Sequence, residues 1–189
     1  AAYIAALGRY LRGIQESDLD RGYEDGRPCC AMDLFVEDCI GRGRGYLNGG
    51  PRYRVYSPHF GGFADAVNSL YILRKWVFEE KRFGFRELME MVRDDWRGHE
   101  DVMRLLREDP GYFGNGVPET DALAARLLRD YARLSCRKAD SGVLEPPGVS
   151  TFGRQVTWKD QRFAHVHGRR RGEILANNIG PTPSSDREG

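Results

Sequence analysis

The feature that most constrains the fold of this chain is a change of texture near residue 140. Before it, apolar residues recur at helical spacing in several separate stretches. After it come some fifty residues rich in Gly, Pro and Arg that carry no helical periodicity. In the first part, Tyr3, Ile4, Leu7, Leu11 and Ile14 predict a helix over 3–16. Pro28 is placed for a helix first turn, and Met32, Phe35, Val36, Cys39 and Ile40 predict a second helix with an apolar stripe, ending in the Gly-rich turn 41–50. Residues 51–60 read as extended or irregular. Phe63, Ala66, Val67, Leu70, Leu73, Trp76 and Val77 then share one face of a long helix running to residue 79. Shorter helices are expected around Phe85–Val92 and Val102–Leu106, and a last one from Pro118 through Leu134. Pro146-Pro147-Gly148 is a linker, and the loose alternation in 149–158 suggests one strand. The remainder is loop, expected to be poorly packed. The organisation is therefore 1–140, helical, and 141–189, loop-rich with at most short strands.

Length alone is that of one domain. Of the 189 residues 40% are hydrophobic, and nine Tyr, nine Phe and three Trp can build a core. No apolar run approaches the ~18 residues of a membrane span. Net charge is +1, so no global field draws in nucleic acid, although 137–189 carries nine basic against six acidic groups. The chain opens on Ala1 and no Met precedes Met32. Cys29, Cys30, Cys39 and Cys136 have no zinc-finger spacing and no signal peptide before them, so they read as free thiols in a cytoplasmic protein.

Four groups invite a chemical reading. Cys29-Cys30, opening a helix, is the alternative catalytic candidate. As a nucleophile it needs a base such as His59 or His99 within reach, and packing is the preferred reading. Cys39 is expected in the core. His165 and His167, alternating, could share a face as metal ligands, but two ligands without a third are no site, so no metal is expected. Gly168-Arg-Arg-Arg-Gly172 resembles a phosphate or RNA patch, yet it reads better as arginines tying loops together. Glu79, Glu80, Asp94 and Asp95 read as a solvated face.

Three stretches carry a family resemblance: Asp38-Cys-Ile-Gly-Arg-Gly43 with Gly49-Gly-Pro-Arg-Tyr53; Ala64-Asp-Ala-Val-Asn-Ser-Leu70 with Val77-Phe-Glu-Glu-Lys81; and Gly168-Arg-Arg-Arg-Gly-Glu173 with Leu175-Ala176 and Pro181-Thr-Pro183. In this order and spacing the chain resembles the pyruvate formate-lyase-like glycyl radical enzymes, on the dehydratase and decarboxylase side rather than formate acetyltransferase itself. The sequence departs from the family's Thr-Pro-Asp-Gly-like turn at Ala164–His167. The resemblance implies a mainly α segment of an α/β, ten-stranded barrel enzyme. In such enzymes a glycyl radical, installed by a radical S-adenosylmethionine activating enzyme with an iron–sulfur cluster, generates a thiyl radical that takes hydrogen from a small organic substrate. It also implies a homodimeric parent.

Neither the Gly-Cys-Val-Glu-like thiyl setting nor the Arg-Val-Ser-Gly-Tyr-like radical setting occurs here. The expectation is an internal fragment lying between them. It would hold no catalytic residue and bind no cofactor itself, and it would be inactive alone. Asn178, Ile179 and Pro181 are the candidate substrate-wall residues, since the resemblance implies that their loop approaches the cavity. The competing reading is a free-standing helical interaction module whose basic tail binds RNA or a protein partner.

Overall fold

A computed structural model describes residues 2–18, 30–138 and 143–187, except the side chains of residues 14, 16–18 and 138. In chain order the elements are α1 (Ala2–Asp18), α2 (Cys39–Arg42), α3 (Phe63–Ile72), α4 (Phe85–Arg93), α5 (Glu100–Arg107), α6 (Pro118–Ser135), β1 (Arg137–Lys138), β2 (Leu144–Glu145) and α7 (Arg154–Thr157). Single 3-10 turns lie at Ala31–Leu34, Tyr46–Asn48 and Lys159–Gln161. The helices foreseen from periodicity at 3–16, 63–79, 85–92, 102–106 and 118–134 are all present. α3 continues into a π-helical stretch, Leu73–Glu79.

Two expectations change. Of the helix expected from Pro28 to the 41–50 turn, Pro28 and Cys29 lie outside the described residues, and the rest is instead a 3-10 turn and the four-residue α2, separated by a stretch ending at Asp38 in a left-handed conformation at φ 73°. That conformation interrupts an α-helix, and the apolar stripe is not buried as a unit. Cys39 is buried, whereas Phe35 is 81% exposed. The strand sought at 149–158 is instead irregular chain, a turn and α7; the described strands are β1 and β2, paired antiparallel with Arg137 opposite Glu145.

The described residues divide into two compact units, each discontinuous in sequence: 1–58 with 129–148, and 59–128 with 149–189. The first contains α1, α2, the β1–β2 pair and the last turns of α6. Leu11, Tyr131 and Val143 are buried there. Buried Glu145 accepts from Gln15 Nε2 and, at 2.9 Å, from Arg137 Nε. The Tyr131 hydroxyl donates to the Pro58 carbonyl at 2.5 Å.

The second unit has the larger core: Tyr71, Ile72, Trp76 and Val77 from α3 and its extension, Leu88, Met91 and Val92 from α4, Leu106 from α5, and Trp96, Tyr112, Ala164 and Val166 from loops. The last two correct the expectation of a poorly packed C-terminal part. Leu175, Ala176, Arg169 and His167 are buried as well. What the loops lack in apolar density they replace with charge-assisted hydrogen bonds.

Helix ends are set by local chemistry. The carboxylate of Glu87 accepts the Gly84 N–H at 3.0 Å ahead of α4. Pro118 occupies the first position of α6, where its missing N–H costs nothing. Glu100 and Asp101 open α5 while Arg104 and Arg107 close it, complementing the helix dipole.

Candidate functional site

The polar groups of the second unit gather around one edge of α3. Asp65, Asn68 and Ser69 stand at i, i+3 and i+4, so one helical face presents all three side chains together. On an interior helix such residues persist only when every polar atom finds a partner. Asn68 takes the Phe113 N–H on its Oδ1 at 2.9 Å and donates through Nδ2 to Thr182 Oγ1 at 3.0 Å. The Thr182 hydroxyl donates onward to Asp65 Oδ1 at 3.3 Å, and the Ala176 N–H donates to Asp65 Oδ2 at 2.9 Å. Two loops remote in sequence are thereby pinned to one helix turn.

His167 completes the cluster. Its Nδ1 lies 3.1 Å from Ser69 Oγ, and the Ser69 hydroxyl donates to the Asp65 carbonyl at 2.7 Å. Since the single hydroxyl proton is spent on that carbonyl, Ser69 Oγ accepts from Nδ1–H. The tautomer follows: His167 Nε2 carries a lone pair. It faces Asp65 Oδ1 at 3.4 Å and is buried without a hydrogen-bond partner. The His165 ring lies beside it, centroids 5.4 Å apart. A turn closed by His165 N–H to the Arg169 carbonyl at 2.8 Å and Gly168 N–H to the His165 carbonyl at 3.0 Å orients the pair.

Electrostatics follow burial. Desolvation pushes the Asp65 carboxyl up to about 6, against the opposing pull of the Ala176 N–H, Arg169 and Thr182. It pushes His165 down to about 4, helped by Arg169 and Arg162. Burial also holds His167 well below the usual histidine range, reinforced by His165, Arg169 and Arg107. Both imidazoles are therefore neutral at pH 7.

On its other side His167 lines a cleft of about 520 Å³, walled by Arg107, Tyr112, Arg169, Glu173 and the stretch Thr182–Ser185. Asn178, Ile179 and Pro181 are not among its lining. Asn178 Oδ1 instead accepts the Thr151 N–H at 2.9 Å and the Ser150 hydroxyl at 3.0 Å, while Ile179 is half exposed.

The arginine run is committed to protein acceptors. Arg169, 3% exposed, donates to the carbonyls of Phe163, Glu173 and Lys159 at 2.8, 3.0 and 3.1 Å. Arg170 reaches Glu100 Oε1 at 2.8 Å, and Arg171 the Asp160 carbonyl at 2.7 Å. Glu79 pairs with Arg74 and Glu80 with Arg82.

Cys29 lies outside the described residues. Cys30 is exposed, its Sγ 3.5 Å from Asp33 Oδ1, and Cys136 is exposed. Buried Cys39 has its thiol pushed up by desolvation.

Sequence reading singled out the two histidines but not their third neighbour. The ligand-capable atoms of Asp65, His165 and His167 all lie within 4.8 Å of one another. The available signal was Asp65-x-x-Asn68-Ser69, three polar residues on a helix whose other positions are core.

The pyruvate formate lyase-like family model matches residues 15–157. The (2S)-3-sulfopropanediol dehydratase of Klebsiella oxytoca is 30% identical over 165 residues, which are 86% of this chain and 20% of the relative. Among solved structures, the glycerol-bound B12-independent glycerol dehydratase of Clostridium butyricum aligns over 84% of this chain and 20% of its own, with 29% identity and a TM-score of 0.73. A Roseburia inulinivorans protein solved in connection with 1,2-propanediol dehydration aligns over 83% and 21%, with 30% identity and a TM-score of 0.70. This chain thus spans about a fifth of the length of these relatives. With the motif order of the sequence, the matched residues and the fold in agreement, the chain belongs to the pyruvate formate lyase-like family of glycyl radical enzymes.

Proposed function

We propose that these 189 residues are a segment of a glycyl radical dehydratase whose substrate is a small hydroxylated molecule, a vicinal diol or close relative. The observation that carries this reading is the agreement of sequence and fold with dehydratases of sulfopropanediol and glycerol over more than four fifths of the chain. In the reaction so assigned, a hydrogen atom leaves a carbinol carbon, water departs from the neighbouring carbon, and the hydrogen atom returns to the product radical. Transfer of that kind needs the radical partners within a few Å in a dry cavity. Neither radical motif is among these positions, so their contribution is scaffolding. α3 organises the loops at 111–113, 164–169 and 176–185, and the activating enzyme and radical groups belong to the intact parent.

Electron paramagnetic resonance of the anaerobic chain, incubated with a glycyl radical activating enzyme and S-adenosylmethionine, is the test. No glycyl radical doublet and no loss of glycerol or 1,2-propanediol are expected from the 189 residues alone. A radical signal with diol turnover would overturn the segment reading. Extension of the coding frame into the thiyl and radical-glycine motifs, followed by diol dehydration by the full-length product, supports the substrate class. Turnover confined to pyruvate would refute it.

A further inference from the structure

We propose that Asp65, His165 and His167 form a binding site for a single divalent first-row transition-metal ion, Zn²⁺ being the probe of choice. The starting observation is two acceptors aimed at each other. The Ser69 and Thr182 hydroxyls are both spent as donors, so His167 Nε2 and Asp65 Oδ1 face one another across 3.4 Å with a lone pair on each. Both side chains are buried, at 3% and 2% exposure, so the pair is withdrawn from bulk solvent. Something positive must lie between them, either a proton or a cation.

The surroundings fit a cation. A metal ion bound at ~2.0–2.2 Å to nitrogen and oxygen holds tetrahedral ligand pairs about 3.3 Å apart, close to the separation of Nε2 and Oδ1. His165 brings a third ligand atom within 4.8 Å of the other two, on a partly exposed ring that lies edge-on to His167 with centroids 5.4 Å apart. Two neutral imidazoles and a carboxylate form a donor set of the kind that holds Zn²⁺.

The outer contacts also have the form seen around metal-ligating histidines. Nδ1–H of His167 is fixed by Ser69, and Asp65 is oriented by the Ala176 N–H. Opposing this, Arg169 and Arg107 put positive charge nearby, but Arg169 is spread over three backbone carbonyls and Arg107 is paired with Glu173. The two histidines occupy the turn at which the sequence departs from its family pattern. The inference does not depend on the radical chemistry assigned above.

The chelator-treated chain, titrated with Co²⁺ and then Zn²⁺, tests the site. The expected result is one equivalent of Co²⁺ giving d–d absorption of a nitrogen–oxygen tetrahedral centre, bleached by one equivalent of Zn²⁺. Affinity should fall by at least about tenfold in His165→Asn and in Asp65→Asn. His165→Asn, at the partly exposed ring, is the variant least disturbing to folding, and its circular dichroism is compared with that of the parent chain. Absence of any Co²⁺ spectrum in the unmodified chain overturns the proposal and leaves a proton shared between Asp65 and His167. Thiolate-to-cobalt charge transfer with affinity unchanged in both variants overturns it in favour of binding at cysteine.

Discussion

Asp109 shows how much a single buried carboxylate organises. It accepts from Tyr71 Oη at 2.9 Å, Lys75 Nζ at 2.8 Å, Trp76 Nε1 at 2.9 Å and the Gly111 N–H at 2.9 Å, and is only 6% exposed. Replacing it with Ala strands three side-chain donors and a backbone N–H, so Asp109→Ala is expected to cost about 3–5 kcal/mol in urea unfolding. Burial pushes this carboxyl up, but Lys75 and the N–H and O–H donors together hold it below 3.8. A depressed carboxyl contributes stability above its ordinary value and loses it as pH falls through the lower folded value. Stability should therefore decline below about pH 4, and Asp109→Asn should flatten that acid limb. An unchanged limb counts against the assignment. Gly111 is tied to the same cluster, because a Cβ there would sit 1.9 Å from Tyr71 Oη. Gly111→Ala is expected to destabilise by about 1–3 kcal/mol through overpacking, read as a lowered Tm.

At the scale of the element, the end of α4 is informative. Trp96 N–H returns to the Met91 carbonyl at 2.9 Å and Asp95 N–H to that of Val92 at 3.1 Å, the paired bonds of a Schellman cap. Asp95 takes the left-handed position usually filled by glycine, at φ 56°, and its carboxylate accepts the Arg171 N–H at 2.8 Å. The cap therefore both ends a helix and holds the arginine loop. Asp95→Ala loses the side-chain acceptor and tolerates the backbone poorly, and is expected to cost about 1–2 kcal/mol. Asp95→Gly should keep the helix end but raise amide exchange at Arg171. The loop's other anchor is the Arg169 guanidinium. Its three carbonyl acceptors suit a planar fork rather than a point charge, so Arg169→Lys should lose about 3 kcal/mol or more, with exchange protection falling across 163–173. Recovery of full stability by lysine would refute that geometry.

At the scale of the molecule, burial is uneven. Phe163, Phe35 and Phe152 are 82%, 81% and 72% exposed, although the second unit has a well-filled core. No helix among the described residues is long and apolar enough to cross a membrane. Surface of this kind binds apolar dyes. The chain should enhance the fluorescence of anilinonaphthalene sulfonate, and replacing these three phenylalanines with serine should remove most of the signal. A triple variant as bright as the parent would show the dye binding elsewhere.

Much of this was legible before any coordinates. Helices at 3–16, 63–79, 85–92, 102–106 and 118–134 follow from apolar spacing, because a helix that must bury one face writes that face into its own period. The loop-tying role of the arginine run and the family motifs are also local patterns. Three things were not local. The left-handed Asp38 interrupts a helix that the apolar spacing around it favours. The segment after 140 is ordered by acceptors and donors as far as 130 residues away, as in Glu145 to Gln15, and 117 away in Thr182 to Asp65. Asp65 meets His165 and His167 only when α3 and the C-terminal loops pack together. Periodicity reports which face of an element is buried, but the identity of what covers that face is a long-range property. Those five helices and the family were therefore determined by the sequence alone, while the order of the C-terminal loops and the Asp65–His165–His167 cluster were decided by tertiary packing, where burial leaves a polar atom no partner except the one the fold brings to it.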